Sequence, residues 1–283
     1  MASRRWFLLL GFWLLVGCST SEAPEQQVSK LTIGVVAYGE GTQSVDRYHR
    51  FTDYLGDQSK TLVELEPVYN EVKAIEQIHQ KKWSLVFAPP GLAAIAISTG
   101  QYLPLFPLQG VNNQSSVLVV LKNSPLQKLG EVSGKRIALG QPGSATGYYV
   151  PLYELYGTAP AEIRIAPTPK TVLAWIAKQE VEVGALSKDE FEHLHSEFAP
   201  VQFRILHASR RIPAGSVLIS PTVERNQQRV IQQVMSSVLP AIAQEAGYVP
   251  NAPVPDYKDL ITFIQKVKPI EARIREKPAP LYQ

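Results

Sequence analysis

From Leu31 onward the chain alternates short apolar runs with amphipathic segments of helical period. The runs Leu31–Val36, Ser84–Ala88, Lys135–Leu139, Glu162–Ala166 and Val181–Leu186 are too short for core helices and read as strands, most of them buried. Between them, Tyr48, Phe51 and Leu55 share one helical face. So do Val72, Ile75 and Ile78, and so do Val172, Leu173 and Ile176. Strands interleaved with helices in this way predict an α/β fold with mostly parallel sheets. Leu62–Val68 alternates apolar and acidic residues, as an edge strand does, and the prolines of Tyr102–Leu108 suit an edge or a connection. The strands are too many for one open sheet, and the motif-bearing turns fall into two sets. Two α/β lobes joined by hinge strands, with a ligand cleft between them, are the expectation. The runs Val117–Leu121 and Val217–Ser220 are the expected crossings, which makes lobe 1 discontinuous over 31–115 and 218–283, with lobe 2 at 116–217.

The N-terminus points to export. Arg4 and Arg5 precede an apolar stretch, Trp6–Val16, that is too short to span a bilayer, and Leu15-Val16-Gly17-Cys18 resembles a bacterial lipobox. Residues 1–17 are expected to be a lipoprotein signal peptide and 18–30 a lipid-anchored polar tether. Cys18 is the single cysteine and the predicted acylation site, so the protein is expected outside the cytoplasm, held to a membrane by its lipid. The whole chain carries a formal +3 from 28 basic and 25 acidic residues; loss of Arg4 and Arg5 with the signal peptide leaves +1. With the basic residues interspersed among acidic ones, nucleic acid is not an expected partner.

In open α/β sheets, ligands sit outside the C-terminal ends of strands. Four loops occupy that position: Tyr38–Gly41, the turn at Tyr69, Pro89-Pro90-Gly91, and Pro142–Gly147. The last is a strand, small-residue turn and helix, and the unpaired N–H groups of a first helical turn, with its dipole, favour an anion. Ser144 and Thr146 place two hydroxyls beside them; capping is the competing role for such residues. Tyr69 stands where a phenol can reach a cleft, Pro90 and Gly91 open a helix, and Ser115 and Ser116 sit at the expected hinge. No nucleophile–base pair, phosphate-binding glycine loop or metal-ligand spacing is visible, and no cofactor or enzyme activity is expected. In Glu190, Glu192, His193 and His195 the histidines are two apart and diverge on a helix, so that stretch reads as a solvated face.

Taken in order, the lipobox, Val68-Tyr69 before a helix, Trp83–Pro90, Lys135–Leu139 with Pro142–Tyr148 and Pro151, Val181–Ala185 and Ile212–Gly215 resemble one family. It is the phosphate/phosphite/phosphonate-binding proteins of ABC transporters, and the resemblance covers Leu31 to Lys268. It implies a periplasmic binding protein-like fold and a monomer that captures a small phosphorus oxyanion for a permease and its ATPase. The implied ligand residues are Tyr69, Pro90, Gly91, Ser115, Ser116, Ser144, Ala145, Thr146, Gly147 and Tyr148. Ala145 replaces a family threonine, and the second family tyrosine has no counterpart near Gln114–Ser116. Thr168-Pro169-Lys170 stands where a ligand histidine is usual, which makes Lys170 a substitute cation. The acidic pair that holds an aminoalkyl group in some members is not evident near Ser187 and Ala214, which counts against aminoethylphosphonate. A lipoprotein sensor or a divergent binding module is the alternative reading.

Overall fold

The computed structural model describes residues 30–37, 43–109 and 115–282. The signal peptide, Cys18, nearly all of the tether and the loop at Tyr38 lie outside them, as does Gln114. Among the described residues, ten strands form two five-stranded sheets. The first contains β1 (Lys30–Val36), β2 (Leu62–Val68), β3 (Leu85–Ala88), β4 (Leu103–Pro107) and β10 (Ser216–Ile219), in the order β2-β1-β3-β10-β4. The second contains β5 (Ser116–Leu121), β6 (Arg136–Leu139), β7 (Glu162–Ile165), β8 (Val183–Ser187) and β9 (Phe203–Ala208), in the order β7-β6-β8-β5-β9. The chain passes to the second sheet before β5 and returns into β10, so the first sheet is assembled from two stretches of sequence.

The sheets are mostly parallel, as expected: in each, four of the five strands run in one direction and a single strand is reversed. In each sheet two pairings are parallel and two antiparallel. The antiparallel ones all involve β10 in the first sheet and β5 in the second, the strands next to the crossings. A strand arriving from the other lobe is not bound by the crossover geometry of a strand–helix–strand unit, so it can lie antiparallel to its neighbours. Edge positions follow composition, with β2 and the proline-bearing β4 at the two margins of the first sheet.

The described helices are α1 (Gln43–Asp46), α2 (His49–Ser59), α3 (Glu71–His79), α4 (Pro90–Ser98), α5 (Val150–Glu154), α6 (Pro169–Ala177), α7 (Lys188–Leu194), α8 (Arg225–Ser236), α9 (Pro240–Ala246) and α10 (Lys258–Glu271). A π-turn, Ala145–Tyr149, leads into α5. Among the described residues none is long and apolar enough to cross a membrane.

Strand alternation distributes the core. Leu85 and Phe87 of β3 enter one apolar cluster with Tyr48, Phe51 and Tyr248, while Val86 and Ala88 enter another on the opposite face. Val117 and Val119 of β5 likewise face away from Leu118 and Val120. The cluster holding Val86, Ala88, Leu118 and Val120 continues through Leu92 of α4, Tyr148 and Leu152 to Leu260 and Ile264 of α10. The two lobes therefore share one apolar seam, and α10 packs against α4 from the first lobe and α5 from the second.

Candidate functional site

The lobes meet at two helix starts. Pro90 at the first position of α4 has no N–H to leave unpaired, and its fixed φ suits the helix start. Facing it, Ser144 caps the π-turn, its Oγ accepting from the backbone N–H of Gly147 at 2.9 Å. The approach is close enough to require glycine. A Cβ on Gly91 would overlap the carbonyl oxygen of Gly143 and lie 2.6 Å from the backbone nitrogen of Ala145. Gly143 itself has φ +112, a conformation open to glycine, and a Cβ there would lie 2.5 Å from Cβ of Glu71.

A cavity of about 240 Å³ opens at this junction. Pro89, Pro90, Ser144, Ala145 and Thr146 form one part of its wall, and Leu108, Gln109 and Gly215 another. Thr146 is only 7% exposed, and its hydroxyl bonds to no described protein group; its backbone carbonyl accepts from Ser116 Oγ at 2.6 Å. Ser144 Oγ has spent an acceptor site on its cap but keeps its proton to donate. An unengaged hydroxyl, a second donor and a first helical turn together form a surface suited to a small oxyanion.

The remaining wall is acidic. Glu71, Asp189 and Glu190 line the cavity beside Ser187, and among the described residues no Lys, Arg or His does so. Residues 38–42 and 110–114 also contain no basic residue. Glu71 is 5% exposed: the Asn70 side chain caps α3, accepting from the backbone N–H of Lys73 at 2.9 Å, and the first helical turn carries Glu71 into the cleft. Glu190 forms a capping box with Ser187, each side chain accepting from the other's backbone N–H, at 2.8 and 3.0 Å. Burial holds the Glu190 carboxyl above the ordinary carboxylate range, against the lowering effect of its Ser187 donors. An adjoining void of about 20 Å³ is lined by Gln141, Thr168 and Glu190, and has room for about one water. The Gln141 Oε1 is buried there without a hydrogen-bond partner among the described residues.

A carboxyl whose folded-state pKa is raised favours the native state most below its unfolded pKa, about 4.3, and loses that contribution as pH rises through the raised value. Glu190→Gln retains an acceptor for the Ser187 N–H but carries no charge. The variant is therefore expected to gain stability over the parent as pH rises from about 4 toward neutrality. Urea midpoints at several pH values check this; a difference that stays constant with pH contradicts it.

The other residues named from sequence are placed as follows. Ser144, Ala145, Thr146 and Pro90 line the cavity, Gly91 packs behind it, and Gly147 borders the small void. Ser116 is buried at the start of the crossing strand β5, and Ser115 is buried directly before it. Tyr148 is buried under α10, where burial and the Glu271 carboxyl hold its phenol strongly protonated. Tyr69 is 61% exposed and borders neither the cavity nor the void. Lys170 is exposed and paired with Glu197 at 2.5 Å. Two expectations are corrected. Acidic residues do lie beside Ser187, and Glu190 points into the cleft, while Glu192, His193 and His195 are exposed as a solvated helix face should be. His193 and His195 bond back to the carbonyls of Asp189 and Phe191, and no described group of His, Cys, Asp and Glu suits a metal ion.

A family model for ABC transporter, phosphonate, periplasmic substrate-binding protein matches residues 33–249. No curated protein matches the chain. Among solved structures, a Xanthomonas citri protein bound to ATP is 19% identical with a TM-score of 0.72, over 85% of this chain and 98% of that one. The Prochlorococcus marinus protein PhnD1, in complex with methylphosphonate, is 16% identical with a TM-score of 0.70, over 85% and 98%. A binding protein component of a Pseudomonas aeruginosa ABC phosphonate transporter is 14% identical with a TM-score of 0.68, over 87% of each chain. At these identities the likeness to solved structures is one of fold.

Proposed function

The chain belongs to the family of periplasmic phosphonate substrate-binding proteins of ABC transporters, and from that membership we propose that it captures a phosphorus oxyanion bearing an ammonium group. An aminoalkylphosphonate has this chemistry. The observation that carries the reading is the divided wall of the inter-lobe cavity: hydroxyl and first-turn donors at Ser144–Thr146, carboxylates at Glu71, Asp189 and Glu190. A bare oxyanion here meets no basic side chain among the described residues. At about 4 Å from a carboxylate, each pair of like charges costs about 4 kcal/mol at an effective dielectric near 20. An ammonium on the ligand reverses the sign of that term, while the phosphonate oxygens keep the donors. No covalent step is involved; hydrogen bonding and closure of the lobes hold the ligand.

The rest of the proposal follows the sequence. Cys18 carries the lipid, residues 18–30 tether the protein, and the monomer delivers ligand to a permease and its ATPase. The lobes divide near 115/116 and 217/218. The acidic wall also favours a second reading: a lipoprotein sensor or divergent module whose ligand is an organic cation without phosphorus.

Thermal unfolding with 2-aminoethylphosphonate, methylphosphonate, phosphite and phosphate separates these readings. The aminoalkyl ligand is expected to stabilise most, by about 2.7 kcal/mol at a hundredfold excess over Kd. Equal stabilisation by methylphosphonate or phosphate would remove the role of the acidic wall. No response to any phosphorus compound would favour the sensor reading.

A further inference from the structure

A second cavity, of about 690 Å³, shares no residue with the inter-lobe site. It is bounded by α5, by the segment that leads from β9 toward β10, and by the start of α10. Its volume lies in the range of sites for small organic ligands, about 300–1,000 Å³. The frame is fixed: Tyr257, just before α10, donates its hydroxyl to the carbonyl of Ala214 at 2.5 Å and lies 2.8 Å from Ser216 Oγ.

The lining has a definite division of chemistry. Tyr153 of α5 and Phe263 of α10 stack obliquely, ring centroids 4.3 Å apart, with Leu260 and Pro213 extending the apolar surface. Glu154 Oε2 and His207 Nε2 lie 3.0 Å apart. Burial holds the Glu154 carboxyl above the ordinary carboxylate range, with His207 and Arg210 opposing part of that shift. Two basic and two acidic residues complete the lining: Arg210 and Arg211 on the crossing segment, Asp256 and Asp259 by the first turn of α10. No ion pair joins these arginines to these aspartates, and Arg211 and Asp259 have no side-chain partner among the described residues. The cavity thus keeps unlike charges apart around an apolar, aromatic surface.

We propose that this cavity is a second ligand site, for an amphipathic zwitterion with a flat apolar body. A carboxylate would be forked by Arg211 with Arg210 beside it, an ammonium would pair with Asp259, and a ring would lie on Tyr153 and Phe263. An aromatic amino acid or a short peptide containing one has this chemistry. The proposal stands independently of what the inter-lobe cavity binds.

Calorimetry and saturation-transfer NMR with the dipeptide phenylalanyl-alanine test it. Binding is expected, with Arg211→Ala and Asp259→Ala each weakening it by about tenfold or more, the loss of one charged contact. The N-acetylated dipeptide, lacking the ammonium, should bind more weakly and no longer respond to Asp259→Ala. The double variant Ser144→Ala/Thr146→Ala should bind the dipeptide as the parent does. Three results would overturn the proposal: no binding at millimolar dipeptide, affinity indifferent to Arg211→Ala and Asp259→Ala, or affinity lost in the Ser144/Thr146 variant. Both single variants alter exposed side chains, and circular dichroism confirms that they are folded.

Discussion

Replacing Ser144 and Thr146 together by alanine is expected to weaken phosphonate binding by about a hundredfold or more. Each hydrogen bond to a charged acceptor contributes about 1.5–3 kcal/mol, so two contribute about 3–6 kcal/mol. Most of the loss should come from binding and little from folding, because the two hydroxyls stand differently. Thr146 Oγ1 makes no hydrogen bond with the described protein, so its removal leaves no protein donor or acceptor orphaned. Ser144 caps the π-turn, and its loss costs about 0.5–2 kcal/mol of stability. The singles should therefore separate: Thr146→Ala weakens binding at nearly parental stability, and Ser144→Ala lowers both. Calorimetry paired with thermal unfolding reads the two quantities. Unchanged affinity in the double variant would place the ligand elsewhere.

Gly91→Ala is expected to abolish high-affinity binding while leaving each lobe folded. The added methyl would collide with backbone, the Gly143 carbonyl and the Ala145 nitrogen, rather than with a flexible side chain. Gly91 belongs to α4 and Gly143 to the loop before the π-turn, so the clash falls between the lobes. The cheapest relief is for the lobes to part. Parting also separates Pro90 from Ser144 and dissolves the cavity that both line. X-ray scattering should show an enlarged radius of gyration that added ligand does not reduce, with near-parental circular dichroism. Parental affinity in this variant would mean that the closed contact is not needed for binding.

Much of this arrangement was legible in the sequence because it depends on local pattern. Short apolar runs marked β3 and β5 as strands, and the prolines of Tyr102–Leu108 suited an edge or a connection, where β4 does form an edge. The turn Pro142–Gly147 advertised itself through small residues between a buried run and a helix. Glu71, Asp189 and Glu190 did not. An acid in a first helical turn reads as dipole compensation, and Glu190 does serve in a capping box. That these side chains also face a shared cavity depends on contacts between segments far apart in sequence. Tyr69 illustrates the converse: an aromatic at a strand end attracts a ligand role, yet the capped start of α3 turns Glu71 inward and leaves Tyr69 outside. The strand directions beside the crossings were hidden for the same reason. Periodicity fixes which face a strand buries but not from which lobe it arrives.

The acidic wall is tested most directly by calorimetry of Glu71→Gln/Glu190→Gln with 2-aminoethylphosphonate and methylphosphonate at neutral pH. Removing two carboxylates without changing shape should lower affinity for the amine-bearing ligand by about tenfold or more and raise it for the other, reversing the parental order. An affinity ratio between the two ligands equal to that of the parent protein would contradict the account.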